Sequence, residues 1–325
     1  MSKSIKHPFA VGIDIGGTTT KFGIVNLKGE ILEQDRIASN AHDIVEDFID
    51  DLHAKLMPMI ERAGGVDKFV GIGMGAPNGN YYTGTIEYAP NLKWKGIIPI
   101  SDLVTSKFNL PAKLTNDANA AAMGEKIYGC AKDMNDFITI TLGTGVGSGI
   151  FVSGKIVLGH DGFAGELGHT TIRPGGRLHK GTGLHGSLES YASATGVRET
   201  AIEFLTDHPE TESLLRDYSL NDLTSQSVYE CAMKGDQIAN KIFEFTAQIL
   251  GEALANFVMF SSPEAIILFG GLTKAGNLLL NPTRKHMEAN LLPIFQNKVK
   301  LLFSELRESD AAILGASALA WDIER

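Results

Sequence analysis

The run of apolar and polar positions sets out most of the elements before any chemistry is considered. Phe9 to Ile15 (FAVGIDI) is a mostly apolar stretch that ends at Gly16 and Gly17, and Lys21 to Val25 resumes a strand-like run before Lys28 and Gly29 turn the chain. With Glu30 to Ile37 this predicts a hairpin followed by a third strand. From Asp43 to Arg62, the residues Ile44, Val45, Phe48, Ile49, Leu52 and Leu56 follow at steps of one, three, one, three and four. That is the apolar stripe of an amphipathic helix. Phe69 to Met74 (FVGIGM) predicts a buried strand, so the first part of the chain reads as a helix packed on one face of a mixed sheet. Later come a loop-rich insert from Gly159 to Gly186, helical stretches from Ser187 to Leu205, a polar loop, and a long helix from Gln237 to Phe260. In that helix Ile238, Ile242, Phe245 and Ile249 step by four, three and four, a core-facing pattern. Ala265 to Phe269 is another buried strand ending at Gly270 and Gly271, Val299 to Phe303 a further one, and Ala311 to Ile323 an Ala-rich closing helix.

The pattern repeats. Ile13 to Thr18 (IDIGGT), then Gly23 and Gly29, parallels Ile140 to Gly145 (ITLGTG), then Gly149 and Gly154. The equivalent glycines are offset by 127, 126 and 125 residues. Strand, Gly/Thr-rich turn, strand and turn in the same order twice point to a duplicated unit.

Composition narrows the class. A chain of 325 residues, 43% hydrophobic and 21% charged, is that of a globular protein of about two domains. The net charge of −9 offers no basic excess for a phosphate backbone or an anionic bilayer, so neither nucleic acid nor membrane is expected as a partner. No stretch approaches the roughly 18 apolar residues of a spanning helix. The N-terminal residues up to Phe9, with Lys3, Lys6 and His7, show no secretory h-region. The two cysteines, Cys130 and Cys231, cannot build a disulfide framework or a zinc ribbon, and a reducing, cytoplasmic location is expected.

The glycine clusters carry the candidate chemistry. Asp14 to Lys21 (DIGGTTTK) places a carboxylate at a strand end, then two residues without side chains, then hydroxyls. Backbone N–H groups at such a turn can approach a phosphate, and an Asp beside it can hold a hydrated Mg²⁺. Neither a Walker A loop nor a Rossmann fingerprint is present. Leu142 to Gly149 (LGTGVGSG) has alternate glycines, which forfeit packing in a strand unless a backbone or ligand must come close. Gly270 and Gly271 follow a buried strand, where open α/β folds bind ligands or simply turn into a helix. Asp117 lies at a strand-to-helix junction, as a helix cap or as a general base beside Asn116. Glu166, His169 and Glu189, with Asn91 next to Trp94, offer carboxylate, imidazole and amide groups suited to sugar hydroxyls, or are solvated loop residues.

Taken together, Asp14 to Thr18 (DIGGT), Pro90 to Leu92 (PNL), Asn116 to Ala121 (NDANAA), Leu142 to Gly147 (LGTGVG), Gly165 to His169 (GELGH), Leu188 and Glu189, and Gly270 and Gly271 resemble the ROK family, from Val11 to about Ala320. The resemblance implies a two-lobed actin/hexokinase-like (ribonuclease H-like) α/β ATPase fold with an interdomain cleft. It suggests an N-terminal lobe over 1–117, joined by the closing helix at 310–325, and a C-terminal lobe over 118–309 that carries the sugar-loop insert. It implies ATP-dependent phosphorylation of a hexose at its primary hydroxyl, with glucose as the first expectation. N-acetylmannosamine, N-acetylglucosamine and fructose are the alternative sugars. A sugar-sensing regulator is the other alternative, although only about ten residues precede the first strand, too few for a helix-turn-helix. By the same resemblance Asp117 is the base, and Asn91, Asn116, Glu166, His169 and Glu189 hold the sugar. Gly16, Gly17, Thr18, Thr19, Gly143, Thr144, Gly145, Gly270 and Gly271 hold the nucleotide, and Asp14 acts through Mg²⁺. Relatives are often dimers or tetramers, so a homo-oligomer is open to this chain.

One departure stands out. Many family members carry a structural zinc in a C-x-C-G-x-x-G-C loop, with the histidine of the E-x-G-H segment as fourth ligand. The three thiolate positions here are Lys180, Thr182 and Ser187. No structural zinc is therefore expected, with a set made of His169, His179 and His185 as the alternative by which this chain could still bind a metal. The loop is expected to keep its path by hydrogen bonding. A smaller departure is Asn78 where relatives often have glycine, and Asn tolerates a left-handed backbone.

Overall fold

A computed structural model describes residues 7–322, so Lys3, Lys6 and the last residue of the expected closing helix, Ile323, lie outside the described residues. Two compact units emerge. The first comprises the chain up to Asn135, Gly149–Gly165 and the stretch from Glu305 onward; the second comprises Asp136–Ser148 and Glu166–Ser304.

The first unit opens with β1 (Phe9–Ile15), β2 (Thr19–Asn26) and β3 (Ile31–Ala38), paired antiparallel. Helix α1 (Val45–Arg62) buries Phe48, Ile49, Leu52, Leu56, Met59 and Ile60. Those are the stripe positions, extended by one turn. Ile44, also in the stripe, instead stands as the residue before the helix and is exposed. β4 (Phe69–Gly75) runs parallel to β1 and is buried along its whole length, as expected for an interior strand. A short pair, β5 (Ile86–Glu87) and β6 (Ile97–Ile98), precedes α2 (Ile100–Phe108), β7 (Ala112–Thr115) and α3 (Asp117–Ile127). The sheet order is β3-β2-β1-β4-β7. Asp14 pairs with Gly75, and Gly75 with Thr115, so the parallel strands end together and deliver Asp14, Asn116 and Asp117 to one sheet edge. Asn78, just past β4, has φ 51°, the left-handed conformation expected there.

The second unit carries β8 (Phe137–Leu142), and the chain leaves it along β9 (Val146–Val152) towards β10 (Lys155–Ile156). After the insert come α4 (Glu189–Ala192), α5 (Ala194–Asp207), α6 (Ser225–Met233) and α7 (Gln237–Ser261). The chain then forms β11 (Ala265–Phe269), α8 (Asn277–Ala289) and β12 (Lys300–Phe303). The sheet order is β10-β9-β8-β11-β12, with β11 parallel to β8 and β12. This is the order of the first sheet, position for position, so the repeat seen in the sequence is a repeat of topology.

The last helix, α9 (Glu308–Ala320), returns to the first unit. Val11, Ile13 and Ile15 point to the core shared with α1, while Gly12 of β1 and Gly73 of β4, adjacent in register, face α9. A Cβ on Gly12 would overlap the Ile313 carbonyl, and one on Gly73 the Ala316 carbonyl. These strand glycines exist so that a helix backbone can lie directly on the sheet. Among the described residues, no helix is long and apolar enough to cross a membrane.

Candidate functional site

In the first unit the site grows from the strand ends. The turn after β1 is closed by Gly16 N–H donating to the Thr19 carbonyl at 3.1 Å. Gly17 sits against Asn91, whose carbonyl oxygen would be 2.6 Å from a Cβ at that position, so the phosphate-type turn and the candidate sugar amide are neighbours. Thr18 is exposed and Thr19 partly so, but Thr20 is buried and hydrogen bonded to Ser39 Oγ at 2.8 Å, which removes it from any ligand role.

At the start of α3 the capping and the acidic roles fall to different residues. Asn116 is the cap: its Oδ1 accepts from Asn119 N–H at 2.6 Å, leaving its amide nitrogen for other partners. Asp117 is thereby released from capping. Its Oδ1 accepts the N–H of Ala118 at 2.8 Å. It is surrounded by protein yet open to solvent on one side, and burial raises its pKa above the ordinary carboxylate value. Asp14 is raised to about 6, first by burial and then by the nearby charge of Asp117, with Lys21 acting in the opposite sense. Two mutually repelling carboxylates at a sheet edge are hard oxygen donors that a divalent cation would relieve.

The second unit assembles the other candidates. The turn between β8 and β9 presents Gly143 with open space where a side chain would project. Gly145 has a different reason to be glycine, since a Cβ there would collide with Glu189 Oε2. Glu189, at the start of α4, accepts from Val146 N–H through Oε2 at 2.7 Å and meets His179 Nε2 through Oε1 at 2.9 Å. His169 Nε2 lies 3.9 Å from Glu166 Oε2, and its ring is 6.3 Å from that of His179. The His169 Nδ1 is buried with no hydrogen-bond partner. Gly270, at φ 107°, packs on the Leu142 backbone, so the third glycine turn is locked against the end of β8. Thr144 holds the start of α5 through its carbonyl, which accepts from Thr195 Oγ1 at 3.0 Å.

The insert loop does not suit a zinc ion. Lys180, Thr182 and Ser187 offer an ammonium and two hydroxyls, and Ser187 Oγ is bonded to Ser190 Oγ at 2.8 Å. His185 Nδ1 is turned to the Gly176 carbonyl at 2.9 Å, and His179 to Glu189. Among the described residues no group of three or more His, Cys, Asp or Glu is arranged to hold a metal. The loop is instead a small hairpin. Its bonds run from His179 N–H to the Leu184 carbonyl, Gly183 N–H to the His179 carbonyl, and Gly186 N–H to the Arg177 carbonyl, each at 2.8 Å. Arg177 fixes its base by donating to Ser190 and Gly196 carbonyls and to Glu203.

The sequence as a whole matches the ROK family model over residues 10–323. The chain belongs to the ROK family. It is 36% identical to a glucokinase of Halalkalibacterium halodurans over 95% of this chain and 94% of that protein. A ROK family glucokinase from Streptomyces griseus, solved in complex with glucose and AMPPNP, superposes with a TM-score of 0.78 at 33% identity, over 97% of this chain and 99% of that one. A xylose repressor of Caldicellulosiruptor bescii is 29% identical over 95% of this chain but only 77% of its own length. The actin/hexokinase-like α/β fold expected from the motifs is therefore the fold of this ROK protein. Sequence reasoning passed over Asn119 in the first unit, whose buried amide makes no hydrogen bond through either side-chain atom, and the contact of His179 with Glu189 in the second. The signal for His179 was its place in the loop that lost the thiolates.

Proposed function

We propose that this ROK protein transfers the γ-phosphoryl group of ATP to the primary hydroxyl of a hexose, with glucose as the preferred sugar. The chain is a phosphotransferase of the hexokinase type, and sugar phosphorylation is the activity its glucokinase relatives carry. The observation that carries the mechanism is Asp117, a carboxylate freed from capping by Asn116 and pushed towards proton-accepting strength. In this reading Asp117 Oδ takes the proton of the sugar hydroxyl as its oxygen attacks the γ-phosphorus in line. No covalent enzyme intermediate is needed, and positioning supplies most of the rate.

Asn91 and Asn116 in the first unit, and Glu166, His169 and Glu189 in the second, hold the ring hydroxyls. The turns at Gly16 to Thr19, Gly143 to Gly145, and Gly270 and Gly271 hold the nucleotide through backbone N–H groups. Asp14 would hold a hydrated Mg²⁺, which would supply charge neutralisation to the transferred phosphoryl group. The raised pKa of Asp14 fits that role, because a cation favours the ionised form that burial and Asp117 disfavour.

A panel of glucose, fructose, N-acetylmannosamine and N-acetylglucosamine with ATP and Mg²⁺, read as ADP release, tests the proposal. Glucose is expected to give the highest kcat/KM. An N-acetylhexosamine in first place would overturn the substrate, and ADP release no higher than background with any of them would overturn the activity.

A further inference from the structure

We propose that His179 is a positioning residue for Glu189, holding its carboxylate by a hydrogen bond; this rests on the reading of Glu189 as a sugar-binding residue. Glu189 is held from two sides, by the Val146 N–H on Oε2 and by His179 Nε2 on Oε1 at 2.9 Å. The side chains are only 23% and 13% exposed for His179 and Glu189, so the pair is shielded from the solvent that makes surface ion pairs weak.

The tautomer follows from the neighbours. Thr182 Oγ1 accepts from Leu184 N–H at 3.3 Å and lies 2.9 Å from His179 Nδ1. The Glu189 carboxylate can only accept, so in a neutral ring the N–H sits on Nε2, facing Glu189, and Nδ1 accepts from the Thr182 hydroxyl. The result is a directed chain from Leu184 N–H through Thr182 and His179 to Glu189. The Nε2–H bond to Glu189 is made by the neutral and by the protonated ring alike.

The chain fixes the carboxylate where a sugar needs it. Each Glu189 oxygen has one protein donor, which leaves a second lone pair on each for substrate hydroxyls and removes the rotation about the terminal torsion that a free glutamate would retain. His185, on the same loop, turns its Nδ1 to the Gly176 carbonyl instead, which makes it the natural control.

The test is steady-state kinetics on the full-length protein, varying glucose and ATP separately. His179→Ala is expected to raise the glucose KM about tenfold with the ATP KM within twofold, the loss of one shielded charge-assisted hydrogen bond. Thr182→Val, which frees the ring to choose the other tautomer, is expected to raise it about threefold. His179→Gln keeps a donor near the Nε2 position and is expected to recover most of the loss, and His185→Ala to leave the glucose KM within twofold. A His179→Ala protein with the wild-type glucose KM, a Gln variant no better than Ala, or equal increases in both KM values would overturn the proposal. A wild-type protein that turns over no hexose would overturn the kinase reading and this inference with it, whereas an active wild type with an insensitive His179 overturns this inference alone.

Discussion

The two five-stranded sheets have the same strand order, and yet the two units treat their acidic residues in opposite ways. In the first, Asp14 and Asp117 lie near each other at the strand ends, and both are raised above the usual carboxylate range by the protein packed around them. In the second, Glu189 receives a donor on each oxygen. A carboxylate kept uncomfortable is suited to accepting a proton or facing a cation; one kept satisfied is suited to holding a substrate still. The glycines divide in a parallel way. Gly12 and Gly73 admit the backbone of α9, and Gly145 admits the side chain of Glu189. A duplicated framework has therefore been specialised by what its glycines let in.

That contrast can be broken at several points. Gly73→Val places a branched side chain into the Ala316 carbonyl and should destabilise the protein by about 4 kcal/mol or prevent folding, measured by denaturant unfolding. A cost below about 1 kcal/mol would mean that α9 does not rest on the sheet. Gly145→Ala should displace Glu189 and raise the sugar KM about tenfold, while an effect confined to the ATP KM would assign this glycine to the nucleotide alone.

The third point concerns pH. Folded Asp14 holds its proton up to about 6, whereas its ordinary value is 3.8. Between those values the folded state binds more protons, so this group's contribution to stability is largest at low pH and is lost as pH rises through about 6. In the absence of Mg²⁺ and ATP, Asp14→Asn should therefore raise the unfolding midpoint by about 3 °C at pH 8 and by less at pH 5. The reverse order would show that Asp14 is paired, not strained. The smallest effect expected is none: elemental analysis of the purified protein should find no stoichiometric zinc, and a full equivalent would show that the insert histidines act as ligands.

Local patterning made most strands readable. Ala265–Phe269 has the bounds that its apolar run gives, and the α1 stripe and the repeated glycine turns appear as expected. The helices α2, α6 and α8 were not. α8 buries Leu279, Thr283 and Met287 at steps of four, a stripe interrupted by a threonine and crossed by Pro282, so the apolar signal is sparse. The site was readable as a set of residue types but not as a division of labour. Whether Asn116 or Asp117 caps α3 depends on the backbone path, since both types cap helices. Why Gly12 and Gly73 are glycines depends on a helix more than 240 residues further along the chain. The donor chain onto Glu189 depends on the fold of the insert hairpin, which brings Thr182, His179 and Glu189 together.

The most direct measurement compares wild type with Asp117→Asn for glucose binding by calorimetry and for ADP release under saturating glucose and ATP. Asn keeps the shape and can still accept from Ala118 N–H, so the account predicts glucose affinity within about threefold of wild type and turnover lower by about 10² or more. Turnover retained within tenfold would contradict it and leave Asp117 as a structural residue at the start of α3.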